Sequence, residues 1–169
     1  MTATTSGFRP PNNAVTQEIT GPEYFLIGAN ATIAKMKPGV VVEVDATAGQ
    51  VKEFDGTGYP IGVIGYEEVQ TGDYKPATRD TAFGALYQRI PVHIERNKRV
   101  RARLAASQTI YKGMPLVAGS DGLLSAMGLT QVITGDGGTV AFPVRFATAD
   151  EAVTTDADGA GTAIWVILG

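Results

Sequence analysis

The chain of 169 residues lies in the usual range of one domain, with 44% hydrophobic and only 18% charged residues, against roughly 25% charged in an average protein. Its net charge of -3 gives no global drive toward nucleic acid, because that binding rests on clustered Lys and Arg neutralising phosphates. The absence of cysteine excludes disulfides, thiolate metal sites and thiol nucleophiles; with no apolar run of about 18 residues and no leader-like start, the chain is expected to be soluble, cytoplasmically made and without a membrane partner.

Residues 1–22 show neither helical nor strand periodicity, and Arg9-Pro10-Pro11-Asn12-Asn13 favours extended backbone. An N-terminal arm is expected here, followed by a single β-rich domain over 23–169. Such an arm is either a tail or a segment that orders on a neighbouring subunit, where a partner surface must offset the entropy of ordering it.

Apolar character rises at Tyr24-Phe25-Leu26-Ile27, and a glycine-punctuated cassette then occurs twice. Met36-Lys37-Pro38-Gly39-Val40-Val41-Val42-Glu43-Val44 leads through Ala48-Gly49-Gln50-Val51, and Tyr111-Lys112-Gly113-Met114-Pro115-Leu116-Val117 leads through Asp121-Gly122-Leu123-Leu124. Gly39 to Gly49 is ten steps and Gly113 to Gly122 is nine, so the two copies agree to within one residue. Each reads as a hairpin with Gly turns. Val40 to Val44 is nearly continuous in apolar residues, which predicts a central strand covered on both faces. Ile61-Gly62-Val63-Ile64-Gly65 predicts the next strand, with a bulge or a close backbone approach at its glycines. Residues 66–84 are weakly patterned and read as a loop.

The cleanest alternation follows. Ile90, Val92 and Ile94 are apolar between Arg89, His93 and Glu95; after Arg96-Asn97-Lys98 it resumes, with Val100, Ala102 and Leu104 apolar among Arg99, Arg101 and Arg103. Period-two alternation predicts two strands with one buried face each, and the polar tripeptide between them predicts a hairpin. Leu123 to Thr130 could form a short helix, Val140 to Phe146 reads as an edge strand because of Pro143, and Thr162 to Leu168 is a final apolar strand in which Trp165 is expected in the core. The whole is all-β with little helix: a compact barrel or sandwich of short antiparallel strands and hairpins.

The arginine stripe, with Arg96 and Lys98 at the turn, is the strongest local charge signal. It is a solvated strand face, a docking surface for an acidic protein or a nucleic-acid contact; no aromatic residue interleaves with it along the chain, which argues against the last. His93 is the only histidine, which excludes any site needing two imidazoles, and no serine sits in a nucleophile elbow. Asp156-Ala157-Asp158-Gly159 resembles the start of a calcium loop but lacks the closing glutamate, and Asp55-Gly56-Thr57-Gly58 lacks the Lys-Ser or Lys-Thr of a phosphate loop. No enzymatic site, metal or other cofactor is expected.

The two cassettes, Pro60-Ile61-Gly62-Val63-Ile64-Gly65, and the ending Phe142-Pro143-Val144-Arg145-Phe146-Ala147 through Ala163-Ile164-Trp165-Val166-Ile167-Leu168 together resemble tailed-phage head-decoration proteins, also called capsid cement or capsid-fibre proteins. The resemblance implies a small β-rich fold, frequently a homotrimer, on the exterior of the virion capsid, clamping neighbouring major capsid protein subunits without direct nucleic-acid contact. Arg9, Pro10 and Pro11 of the arm, with Arg89, Arg96, Lys98, Arg99, Arg101 and Arg103, are the candidate partner-binding residues. A different virion or tail β-module and a carbohydrate- or ligand-binding β-sandwich are the alternatives.

Overall fold

Both cassettes fold as antiparallel hairpins. In the computed structural model, which describes residues 21–66, 76, 78–128 and 145–169, β2 (Val41–Val44) pairs with β3 (Gln50–Glu53) and β8 (Pro115–Ala118) pairs with β9 (Leu124–Ala126). The four cassette glycines all have positive φ, from +67° at Gly122 to +90° at Gly39, a region that side chains with a Cβ rarely enter. The turn 37–40 closes through Val40 N to Lys37 O at 3.1 Å, and 111–114 through Met114 N to Tyr111 O at 3.0 Å. Each places its glycine third of four, the position where a type II turn requires positive φ.

The described residues hold twelve strands and one 3-10 turn, Ile33–Lys35. Besides the hairpins these are β1 (Glu23–Ile27), β4 (Pro60–Ile64), β5 (Arg89–His93), β6 (Arg99–Arg103), β7 (Thr109–Ile110), β10 (Ala147–Ala149), β11 (Val153–Thr154) and β12 (Ala163–Leu168). The first five close a barrel in the order β1-β3-β2-β4-β5, and a second sheet runs β6-β12-β10-β8-β9. The fold is therefore all-β, with a barrel and antiparallel sheets, as its patterning predicts.

The duplication extends beyond the hairpins to the wiring of both sheets. Starting from the second strand of each hairpin, the barrel reads β3-β2-β4-β5-β1 and the other sheet β9-β8-β10-β12-β6, with each successive pair antiparallel. The barrel closes through a parallel contact of β1 with β3, at Leu26↔Gln50 and Ile27↔Val51. The second sheet turns its ends together in the same sense, through a parallel bridge Leu104↔Leu124. Gly28 N donates to Val51 O at 2.8 Å in the first unit, and Ala105 N donates to Leu124 O at 2.8 Å in the second. Among the described residues, a small ladder of β7 with β11 is added to the second unit alone.

The two units share apolar packing asymmetrically. Ile27, Met36, Val42, Val51, Ile64, Phe83, Ile90 and Val92 fill the first barrel, all drawn from its own segment. The second cluster joins Val41, Phe54 and Val63 of that barrel to Val100, Leu116, Leu124, Ile164 and Val166. Adjacent residues Val41 and Val42 thus enter different cores, as do Val63 and Ile64, which is the double-sided burial expected of a continuous apolar strand. The second hairpin also seats on the first: Gly122 N donates to Phe54 O, Val41 N donates to Gly122 O, and Lys35 pairs with Asp121 at 2.9 Å. The expected irregularity near Gly62 is a register shift between β2 and β4 at Val42/Glu43.

Three expectations are corrected. The strands β5 and β6 do not form a hairpin, because β5 has both edges occupied, by β1 and β4, while β6 pairs with β12. The turn at 96–97 instead carries the chain from one unit to the other, with Asn97 at φ +62° donating its N–H to Leu168 O. The apolar end of 123–130 holds strand β9, because pairing with β8 satisfies its backbone. Trp165 is outside the core: β12 alternates, burying Ile164, Val166 and Leu168 and turning Trp165 to the other face, where it is half-buried. The expected arm over 1–22 lies outside the described residues except for 21 and 22, and the expected edge strand Val140 to Phe146 except for 145 and 146, which precede β10; most of the loop 66–84 lies outside them as well.

Candidate functional site

Where the two units meet, the outward face of β6 and β12 borders a cleft of about 560 Å³. Its walls come from the ends of β4 and β5, including Tyr66 and His93, from Arg79 and Asp80, and from the 161–163 connection. The pairing register builds its chemistry: Trp165 lies opposite Arg101, and Ile167 opposite Arg99, so same-face side chains of the two strands mesh. The guanidinium of Arg99 lies 4.4 Å from the centre of the Trp165 ring, and that of Arg101 5.6 Å. Arg79 lies 5.4 Å from the centre of the Tyr66 ring on another part of the lining. Cation–π contacts of this kind are each worth about 0.5–1 kcal/mol at exposed sites and hold both partners in place.

The arginines of the sequence stripe divide into four roles. Arg103 shares the outward face of β6 but is covered by neighbouring segments and only 7% exposed. Its Nε donates to Pro38 O at 2.7 Å, Nη1 to Gly161 O at 2.7 Å, and Nη2 to Arg79 O and to Asp80 Oδ1 at 2.8 Å. It ties the first cassette turn to two connections, which makes it a strut instead of a presented contact. Arg99 is half-exposed, with Nε donating to Asp150 Oδ2, a carboxylate shared with Lys112 at 3.1 Å. Arg101 is exposed and donates Nη2 to Ala163 O at 2.8 Å. Arg89 belongs to the first barrel, where its guanidinium lies 4.6 Å from the Tyr24 ring centre, away from the cleft.

Arg96 is exposed at the turn between the units, and Lys98 pairs with Glu95 at 2.8 Å. Neither lines the cleft. Arg9, Pro10 and Pro11 lie outside the described residues. The structure therefore brings Arg99, Arg101 and Arg103 together on one strand, and leaves Arg89, Arg96 and Lys98 elsewhere.

The carboxylates nearby are held ionised. Hydrogen bonding from Arg103, then its charge, lowers the pKa of Asp80; hydrogen bonds from Lys112 and Arg99 lower that of Asp150. The lining carries Arg79, Arg99, Arg101 and Arg103 against Asp80, with Asp150 on Arg99 and Glu151 accepting from Trp165 N at 2.9 Å along its border, so cations outnumber carboxylates in the cleft although the chain is acidic. Among the described residues, no group of three or more His, Asp or Glu is placed to hold a metal ion, and no helix is long and apolar enough to cross a membrane. The Asp55–Thr57 segment is a turn, with Asp55 Oδ1 accepting from Thr57 N at 2.9 Å, and Asp156 Oδ1 likewise accepts from Asp158 N at 3.2 Å.

Trp165, Tyr66 and Arg79 are the members of the cleft that sequence reasoning missed. In Thr162 to Leu168 the outward side chains are as apolar as the inward ones, so alternation is invisible by composition. The aromatic that interleaves with the arginines comes from 62 or more residues downstream through the β6–β12 ladder, and only the pairing reveals it. A scan against protein-family models and a search of curated proteins both return no match for this chain.

Proposed function

We propose that this protein is a structural virion component that attaches to the outer surface of an assembled phage capsid and reinforces it by clamping neighbouring major capsid protein subunits, with the homotrimer as the attached form. The observation that carries this reading is the cationic, aromatic cleft between a hairpin-built barrel and the hairpin-built sheet that follows it. It is a surface built for holding a partner, on a scaffold whose glycine and apolar spacing resembles the head-decoration family. Repetition over many identical capsid sites turns modest contacts per copy into a strong reinforcement of the lattice. The cleft also favours a second reading, a binding module for a carbohydrate or other small ligand, since a half-buried tryptophan beside hydrogen-bond donors suits such a ligand.

Sedimentation of a lysate from the source, with antibody detection across a density gradient, tests the proposal. The protein should travel with DNA-filled heads and be released by mild denaturant as a small oligomer of three copies. Recovery only among slowly sedimenting soluble proteins would overturn the virion reading and leave the ligand-binding one.

A further inference from the structure

We infer that the cleft between the units recognises an acidic peptide segment, whose carboxylates engage the Arg99 and Arg101 guanidinium edges beside Trp165. The inference deepens the partner-binding reading and rests on it for biological context, but the site stands on its own geometry. An arginine carries five N–H donors in a planar fork. Among the described residues, Arg99 commits Nε to Asp150, and Arg101 commits Nη2 to Ala163 O, so each retains further donors. The contacts that Arg99 and Arg101 do make fix their stems and planes, which lowers the ordering cost of binding. Charge-assisted pairs with carboxylates are the strongest use of such pre-oriented forks.

The ring of Trp165 separates a carboxylate ligand from a nucleobase. A guanidinium already lies 4.4 Å from the ring centre, and a base stacking on that side would have to displace it. A carboxylate approaches the edges of the guanidinium and leaves the ring contact in place. The ring in turn offers apolar area for the methylene groups of Asp or Glu and for their neighbours along an extended chain. At about 560 Å³ the cleft is large enough for a few residues of such a segment. The acidic net charge of the chain disfavours a polyanion that would cover the wider surface, whereas a short acidic segment meets a lining in which four arginines outnumber the carboxylates of Asp80, Asp150 and Glu151.

Trp165 is the only tryptophan, so its emission reports on this cleft alone. Full-length protein at low ionic strength would be titrated with a short Glu- and Asp-rich peptide, its Gln- and Asn-substituted counterpart, and a thymidine oligonucleotide. The acidic peptide should give a saturable change in emission that weakens with salt, and the neutral peptide should give none. Arg101→Gln should raise the dissociation constant roughly tenfold, the loss of one charge-assisted contact, while Arg89→Gln leaves it unchanged. Calorimetric titration of the same variants guards against a direct effect of the substitution on emission. An equal response to both peptides, an Arg101→Gln titration that superimposes on the parent, no saturable response, or tighter binding of the oligonucleotide would each overturn the inference. Arg99→Gln and Arg101→Gln variants that lose the peptide but still travel with heads would separate this site from capsid attachment. Peptide binding by a protein absent from heads would leave the cleft intact and remove the virion reading.

Discussion

Replacing Gly122 by Ala should destabilise the protein far more than replacing Gly49, although the two glycines occupy the same place in the two hairpins. Gly49 has φ +81°, and a Cβ built there meets nothing within 4 Å. The cost at Gly49 is confined to a left-handed backbone, about 1–2 kcal/mol, less roughly 0.4–1 kcal/mol because Ala also stiffens the unfolded chain. A net loss of about 1 kcal/mol follows. Gly122 has φ +67°, and a Cβ there would stand 2.5 Å from Val40 Cγ1 and 2.7 Å from Val41 O. Val41 O belongs to a strand paired on both sides and cannot retreat without breaking ladders in the barrel. Overpacking of that kind adds about 1–3 kcal/mol, for a total of about 2–4 kcal/mol. Urea unfolding of the two variants measures the gap directly, with the m-value expected to stay constant. Losses equal to within about 0.5 kcal/mol would show that the second hairpin does not press on the first and would refute the reasoning.

Arg103→Met should cost about 3–5 kcal/mol, seen as a lower thermal midpoint, because it strips donors from the carbonyls of Pro38, Arg79 and Gly161 together; a loss below about 1 kcal/mol would return Arg103 to the presented surface. Asp80→Asn tests the other end of that pair. Asp80 has its pKa lowered by folding, so its contribution is complete above the ordinary value of 3.8 and is lost as the pH falls from there through the depressed value. With its side chain 84% exposed, screening limits the effect to about 0.5–1 kcal/mol at neutral pH, and melting curves of variant and parent should converge in acid. Lys112→Ala should be nearly silent in stability, within about 0.5 kcal/mol, since Asp150 keeps Arg99 and Lys112 is 72% exposed.

The hairpins, the double-sided β2 and the alternating β5 and β6 were legible because each is local: a Gly turn and a period of two are written in adjacent residues. The partnership of β5 with β6 was misread for the same reason. Adjacency in sequence and a polar tripeptide favour a hairpin, whereas the register of β6 with β12 depends on packing between Ala102 and Ile164 and between Val100 and Val166, which no short window contains. The buried state of Arg103 was hidden by its neighbours, since Arg99 and Arg101 share its face of β6 and both are exposed. What covers Arg103 is a set of acceptors at 38, 79, 80 and 161, brought together by tertiary structure. The cleft was half legible: its arginines stand out as a stripe, and its tryptophan was concealed in an apolar run.

The unequal division of the two cores bears on the order in which a growing chain can become structured. All strands of the first barrel end by His93, and among the described residues its interior takes nothing from the later half. The later half, by contrast, needs Val41, Phe54 and Val63 to complete its packing. Synthesis from the N-terminus therefore delivers a finished template before the residues that condense on it emerge, with Val41, Phe54 and Val63 left waiting for them. A duplicated unit that leans on its predecessor in this way escapes the usual hazard of tandem copies, in which equivalent strands of two half-made barrels exchange partners.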